Sequence, residues 1–98
     1  MVLRLHPDGE TYFDEWCRRR STSSEDIRLV ADVLEAYAAQ DGWQKNYRNH
    51  QDLSDPAVVI VEPRAGLFVH VLKWTGEEEN EFSLIDIAST DLPGSEEN

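Results

Sequence analysis

The sequence predicts an α+β domain in which two helices pack on a small, mainly antiparallel sheet. Two segments in the first half of the chain repeat apolar residues at the spacing of one helix face. Three short segments in the second half are rich in β-branched and aromatic residues. Turn-forming residues separate these three segments, which is typical of an antiparallel meander. Val2 to His6 adds a short first strand, so the predicted order is β-α-α-β-β-β.

The first predicted helix covers Glu10 to Arg20. Pro7 to Gly9 is made of turn-forming residues and is expected to end the first strand. Within the helix, apolar residues fall at i, i+1, i+4 and i+5, which places them on one face. Trp16 is therefore expected in the core, with Cys17 beside it as a small core residue. The apolar face consists of Tyr12, Phe13, Trp16 and Cys17.

The second predicted helix is the most clearly marked element. Its start is predicted at a capping box of Thr22 and Glu25, or alternatively at Ser24. Asp41 and Gly42 are expected to end it, because glycine is common just after a helix. The apolar stripe along the helix is expected to be buried. This stripe consists of Ile27, Val30, Val33, Leu34, Tyr37 and Ala38.

The rest of the chain is predicted as a loop followed by the meander. Residues 43–56 have no clean period and are predicted as a loop that can include one helical turn. Because the first strand of the meander is an apolar run, it is expected to be central and covered on both faces, with Val59 buried. The three strands are predicted at Ala57 to Glu62, Leu67 to Trp74 and Glu81 to Ala88.

Length and composition favour a single domain over residues 1–88, followed by an acidic flexible tail over residues 89–98. Cys17 is the only cysteine, which excludes an internal disulfide and a multi-cysteine zinc site. The histidines lack the spacing of metal ligands, and no cofactor motif is found, so neither a metal nor a cofactor is expected. The chain opens without an apolar signal segment, and its longest apolar run, Ala57 to Val61, is too short to span a membrane. A cytoplasmic location is expected.

The negative charge of this chain is concentrated towards its C-terminal end. The formal net charge is −11, and the 25 residues after Lys73 contain eight carboxylates and no lysine or arginine. Such a field attracts a basic partner and opposes binding to nucleic acid or to an anionic membrane. The alternative is a solvated hairpin loop whose charges oppose edge-to-edge pairing of strands. The carboxylates proposed to contact the partner are Glu77, Glu78, Glu79 and Glu81.

A second candidate contact lies in the predicted loop. Trp43, Tyr47 and Arg48 are of the residue types that most often dominate the energy of protein interfaces. Aromatic residues interleaved with Lys45 and His50 are also typical of nucleic-acid binding, but three basic side chains are too few in so acidic a molecule. The alternative interpretation is that Trp43 and Tyr47 cover the end of the core.

The predicted order of elements resembles that of the RelE/ParE family of small toxins over roughly residues 2–88. The resemblance lies in Phe13 to Trp16 of the first helix, in Val33 to Tyr37 of the second, and in Gly66 to Val69, which opens the penultimate strand. It implies the topology of that family and, as an alternative function, ribonuclease activity.

The acid-base groups that this resemblance implies are only partly present. Ribosome-directed members of the family are basic and place Arg, Lys, His or Tyr on the final strands and the C-terminus. In this chain, His70 and Lys73, with Arg64 nearby, are the residues that match, and none follows Trp74. The topology is therefore expected to carry over, and the ribonuclease activity is not.

The sequence favours a non-enzymatic protein that uses an acidic surface to occupy a basic site on a protein partner. Immunity proteins, antitoxins and phage-borne inhibitors of nucleases or defence complexes act in this way, because their targets handle nucleic acid and present positive surfaces. The competing hypothesis is a RelE/ParE-like toxin or ribonuclease with an unusual, acidic surface. A homo-oligomeric scaffold is the third hypothesis, and the sequence does not decide the oligomeric state.

Overall fold

Five strands form one sheet with three helices against it in the computed structural model, which describes residues 3–73 and 80–90. The strands are β1 Arg4–Leu5, β2 Arg48–Gln51, β3 Val58–Arg64, β4 Leu67–Lys73 and β5 Glu81–Ser89. The helices are α1 Pro7–Cys17, α2 Ser24–Ala39 and α3 Trp43–Asn46. The strand order is β1-β5-β4-β3-β2, with β1 parallel to β5 and the other neighbours antiparallel. The predicted α+β class is confirmed.

α1 begins earlier in the chain than predicted. Pro7 to Gly9 forms its first turn and is not a separate turn, because proline is favoured at the first helical position, where its missing N–H has no partner to lose. His6 is the N-cap, and its Nδ1 accepts a hydrogen bond from the Asp8 N–H at 3.1 Å. The helix ends at Cys17, so Arg18 to Arg20 lie beyond it.

α2 follows its prediction closely except at the cap. The N-cap is Ser23, between the two predicted starts, and its Oγ accepts a hydrogen bond from the Asp26 N–H at 3.0 Å. At the other end, Gln40 adopts a left-handed conformation with φ of 54°, and Gly42 follows with φ of 72°. The helix therefore stops where the sequence predicts.

Arg64 connects the start of α2 to the sheet. Its Nε and Nη2 donate to the two carboxylate oxygens of Asp26 at 2.9 and 2.8 Å. This two-point pairing is the geometry that a guanidinium group favours. The hydrogen bonds from Arg64 also hold the pKa of Asp26 below its usual range.

β2 is a strand that the sequence does not predict. All four of its residues are exposed, so no apolar alternation marks it. It forms because it pairs with β3, with Arg48 opposite Glu62 and Gln51 opposite Val59. The loop predicted over residues 43–56 is therefore wrong for β2, and the helical turn allowed within it is α3.

β3 lies between β2 and β4, which confirms its predicted central position, but the described helices cover only one of its faces, so the predicted cover on both faces is wrong. The strand continues past Pro63, where a register shift between Val61 and Arg64 accommodates the residue that has no N–H. Val59 is half-buried against the core, so the prediction of its burial holds in part. The predicted meander of β3, β4 and β5 is confirmed.

A β-bulge in β5 keeps a carboxylate out of the core. The residues that pair with β4 pass from Leu84 directly to Asp86, which leaves Ile85 unpaired. Strict alternation after Leu84 would turn Asp86 inward. The extra residue instead turns Ile87 inward and leaves Ile85 42% exposed.

The core lies between the helices and one face of the meander. Trp16 of α1 and Leu34 of α2 are buried, as predicted. Cys17 is half-buried against the core. Trp43 of α3 packs on Tyr37 with 4.9 Å between the ring centroids. The sheet residues with 0% exposure are Val61, Val69, Val71 and Phe82.

α1 lies along the outer edge of β5, beyond β1. A Cβ added at Gly9 would lie 2.7 Å from the backbone nitrogen of Leu84, so only glycine permits this close approach. The Tyr12 hydroxyl accepts a hydrogen bond from the Ile87 N–H at 3.0 Å and donates one to Asp86 Oδ1 at 2.9 Å. These contacts cover this edge of the sheet.

Most of the hairpin loop predicted over residues 75–80 lies outside the described residues, as does the predicted tail from residue 91 onward. Ser89 still belongs to β5, and the Thr90 N–H donates to the Gly66 carbonyl at 2.8 Å. Among the described helices, none is long and apolar enough to cross a membrane.

We predict that Leu34→Ala lowers the free energy of unfolding by about 2–5 kcal/mol, because it leaves a cavity in the core. Leu53→Ala is the matched control, since Leu34 is 8% exposed and Leu53 is 98% exposed. The control should change the free energy of unfolding by less than about 0.5 kcal/mol. Chemical denaturation measures both. Equal losses in the two variants would show that the inward face of α2 is assigned wrongly.

Candidate functional site

The outward face of α2 carries two carboxylates close together. Val33, Leu34 and Tyr37 point into the core, so Asp32 and Glu35 fall on the opposite face of the helix and are exposed. Residues three apart in a helix are neighbours on its surface. In the part of the chain that the structure describes, neither carboxylate forms an ion pair.

Tyr47 lies close enough to these two carboxylates to feel their negative charge. It follows α3 and is half-buried on the edge of the core. Its position is fixed by the Asn49 side-chain amide, which donates to the carbonyls of Tyr47 at 3.1 Å and Gln44 at 3.2 Å.

The pKa of Tyr47 reflects the burial and the charges around its hydroxyl. Burial raises the pKa of its hydroxyl, and the nearby negative charges of Asp32 and Glu35 raise it further. A neutral phenol near two carboxylates is a hydrogen-bond donor and acceptor in a negative field, which suits a cationic side chain. Asp32, Glu35 and Tyr47 are called the Tyr47 surface below.

The other residues predicted in this segment have different positions. Trp43 is 7% exposed and packs in the core, where it supports the segment that carries Tyr47. This matches the alternative interpretation, in which Trp43 covers the end of the core. Arg48 is exposed at the start of β2 and lines a shallow depression with Glu62, Arg64 and Ala65. Its contact with a partner stays a prediction.

Glu81 is the acidic candidate that the structure describes, and it is not part of the Tyr47 surface. Glu81 is half-buried at the start of β5, opposite Arg4 of β1, and lines a depression with Arg4 and Glu10. Since β1 and β2 are at opposite edges of the sheet, Glu81 is remote from Arg48. Glu77, Glu78 and Glu79 lie outside the described residues, so their contact role stays a prediction.

The sheet face opposite the helices carries a different set of polar groups. His50 Nε2 lies 3.0 Å from Glu62 Oε1, and the His50 ring meets the edge of Phe68 at 6.2 Å between centroids. Glu62 also accepts a hydrogen bond from the Gly66 N–H at 3.1 Å. The hydrogen bonds from His50 and Gly66 lower the pKa of Glu62, so it is ionised at neutral pH.

His70 alternates with Phe68 and Leu72 along the chain, a pattern that predicts a partly buried, hydrogen-bonded structural histidine. It is half-buried on the same face as His50. The predicted hydrogen bond is absent at Nδ1, which is buried without a partner among the described residues. Lys73 is exposed, and the odd step between the two residues turns it to the other side of β4. Residues 3–73 and 80–90 contain no group of three or more possible ligands placed to hold a metal ion.

Comparison of the chain with protein-family models, with curated proteins and with solved structures gives no match. The resemblance to the RelE/ParE family therefore stays a prediction. What distinguishes the described surface is the grouping of Asp32 and Glu35 with Tyr47, which the sequence analysis did not include. The available signal was that both carboxylates fall opposite the apolar stripe of α2.

We predict that Asp32→Asn combined with Glu35→Gln lowers the pKa of Tyr47, because the phenolate no longer faces two negative charges. The pKa should stay above the ordinary tyrosine value, since burial still opposes ionisation. Nuclear magnetic resonance of ring-labelled tyrosine, with Tyr12 and Tyr37 as internal references, measures each hydroxyl separately. An unchanged pKa at Tyr47 would contradict the proximity of its hydroxyl to α2.

Proposed function

We propose that this protein is a non-enzymatic, acidic binding protein that occupies a basic surface on a protein partner in the cytoplasm. The observation that supports this most directly is the Tyr47 surface, where two exposed carboxylates without an ion pair in the described residues lie near a partly buried aromatic residue. Tyrosine is among the residues that dominate interface energies, and the carboxylates supply the attraction for lysine and arginine.

The charge distribution over the helices supports the same proposal. Among the described residues, Asp26 forms an ion pair with Arg64, Glu62 is hydrogen-bonded to His50, and Asp8 lies beside the His6 ring that caps its helix. The remaining exposed carboxylates of the two long helices have no such partner within the described ranges, and they are Glu10, Asp14, Glu15, Glu25, Asp32 and Glu35. Unpaired charges of one sign contribute little to stability, but they speed association with a surface of opposite sign.

A partner that handles nucleic acid fits this surface best. Such a partner displays lysine and arginine side chains spaced to meet phosphate groups. Carboxylates presented from a rigid helix can take the place of those phosphates and exclude the nucleic acid. The proposed class of function is therefore an immunity protein, an antitoxin or an anti-defence inhibitor.

The test begins by capturing partners from a lysate of the source cells on the immobilised protein and purifying the protein that is retained. Asp32→Asn combined with Glu35→Gln should slow association with that partner by about tenfold at low salt, because the local attraction is lost. Asp14→Asn combined with Glu15→Gln is the matched control. It removes the same charge from α1, and we expect less than about a threefold effect. Stopped-flow or surface-based kinetics measure both rates.

The hairpin carboxylates are tested in the same assay. Glu77→Gln, Glu78→Gln and Glu79→Gln together should also slow association by about tenfold if this segment attracts the partner, with stability nearly unchanged. Equal rates for the Tyr47-surface variant, the hairpin variant and wild type would overturn the proposal, as would capture of an acidic partner.

The second candidate function is a RelE/ParE-like ribonuclease, favoured by the acid-base groups near each other on the open sheet face. His50 of β2 is hydrogen-bonded to Glu62 of β3, and His70 lies on the same face in β4, the next strand after β3. Cleavage of a phosphodiester requires cationic groups that jointly bind one phosphate. Lys73 and His70 lie on opposite sides of their strand and cannot do so, which argues against this function.

We therefore predict no cleavage of free or ribosome-bound RNA under conditions in which a basic RelE-like control protein is active. Gel analysis of the RNA, with wild type and His70→Ala side by side, gives the result. Cleavage that disappears in His70→Ala or Lys73→Ala would establish the ribonuclease and refute the binding-protein proposal.

A further inference from the structure

One edge of the sheet is covered by a helix, and the other edge is exposed. Beyond β1, the edge of β5 is covered by α1, and the Tyr12 hydroxyl accepts the hydrogen bond of the outward-facing Ile87 N–H. At the opposite edge, β2 is exposed over its full length. No element in the described ranges pairs with its outer side.

The register of β2 shows which backbone groups face outward. The Asp52 N–H donates to the Val58 carbonyl at 3.4 Å, so the even-numbered residues of this segment face β3. On the other side of β3, the Lys73 N–H donates to the Ala57 carbonyl at 2.9 Å, which agrees with that alternation. The N–H and C=O groups of Asn49 and Gln51 therefore point away from the sheet.

These outward groups form a site for another strand. The side-chain amide of Asn49 donates to the carbonyls of Gln44 and Tyr47. The backbone N–H groups of Asn49 and Gln51 donate no hydrogen bond among the described residues. Proteins commonly protect an open edge with proline, lysine or a bulge, and β2 contains none of these. Its shortness and the charge of Arg48 are the remaining protection.

We infer that β2 receives an extended, positively charged segment of a protein partner, which adds a sixth strand to the sheet. Arg48 begins β2 and Lys45 precedes it, but the carboxylates around the two ends of the strand outnumber these cations and select this occupant. The Tyr47 surface lies at its start, and Asp52 and Asp55 follow its end. Hydrogen bonds from Ser54 lower the pKa of Asp52, which is therefore ionised at neutral pH. The positive charge of the segment rests on the proposed function, whereas the pairing rests on the edge alone.

The probe for this inference is an acetylated, amidated peptide of alternating lysine and valine, added to the full-length protein. Binding should shift the amide resonances of Asn49 and Gln51 and slow their hydrogen exchange. The same peptide with alternate backbone amides N-methylated should not bind, because it lacks the donors that pair with the edge. An alternating glutamate and valine peptide should bind at least about tenfold more weakly.

One variant pair separates the backbone contact from the side chain. Gln51→Pro removes an outward N–H that β2 does not use for β3, and proline is tolerated at such an edge position. It should weaken peptide binding by about tenfold, whereas Gln51→Ala should change it by less than about twofold. Circular dichroism checks that both variants fold, and the N-methylated peptide tests the pairing on wild type without any variant.

Several outcomes would overturn the inference. They are the absence of shifts at Asn49 and Gln51 up to about 5 mM peptide, equal binding of the N-methylated peptide, and equal binding of the glutamate peptide. Light scattering that shows a dimer of this chain, dispersed by Gln51→Pro, would replace the partner segment with a second copy. Loss of partner association in the Tyr47-surface variant is scored separately, so failure of the edge and failure of the proposed function are distinguishable.

Discussion

The structure depends on burying one face of the β3-β4-β5 meander under the helices. Val61, Val69 and Val71 are fully enclosed on that face. Removing so much apolar area from water is the largest favourable term available to a small domain. It fixes which side of α2 points inward, and hence which side presents Asp32 and Glu35 to solvent. The bulge at Ile85 serves the same constraint, because it keeps the alternation of β5 compatible with a dry core.

The elements that bury apolar side chains are the ones that the sequence predicts well. The stripe through Val30, Leu34 and Tyr37 identifies α2, and the β-branched runs identify the meander. β2 is missed because an exposed edge strand carries no periodic signal, and its pairing with β3 becomes visible only in the fold. The start of α1 is missed because Pro7 serves equally well as a turn residue and as the first residue of a helix.

The residues of the candidate site are also only partly predictable from the sequence. Tyr47 can be selected from the sequence by residue type, but its neighbours on α2 cannot, since α3 and the following segment must first fold back against that helix. Trp43 is, like Tyr47, an aromatic residue of a type common at interfaces, but it is part of the core. Residue type therefore identifies candidates for a contact, and packing decides which of them reach the surface.

The proposed function depends on an acidic surface that meets positive charge on a partner. α2 fixes the backbone positions of Asp32 and Glu35, and neither carboxylate forms an ion pair in the described residues. The most direct test of this claim is the association rate of the wild-type protein with its isolated partner as a function of ionic strength. We expect the rate to fall at least about tenfold between roughly 50 and 500 mM salt, with the dissociation rate little changed. An association rate that is independent of ionic strength would contradict the account.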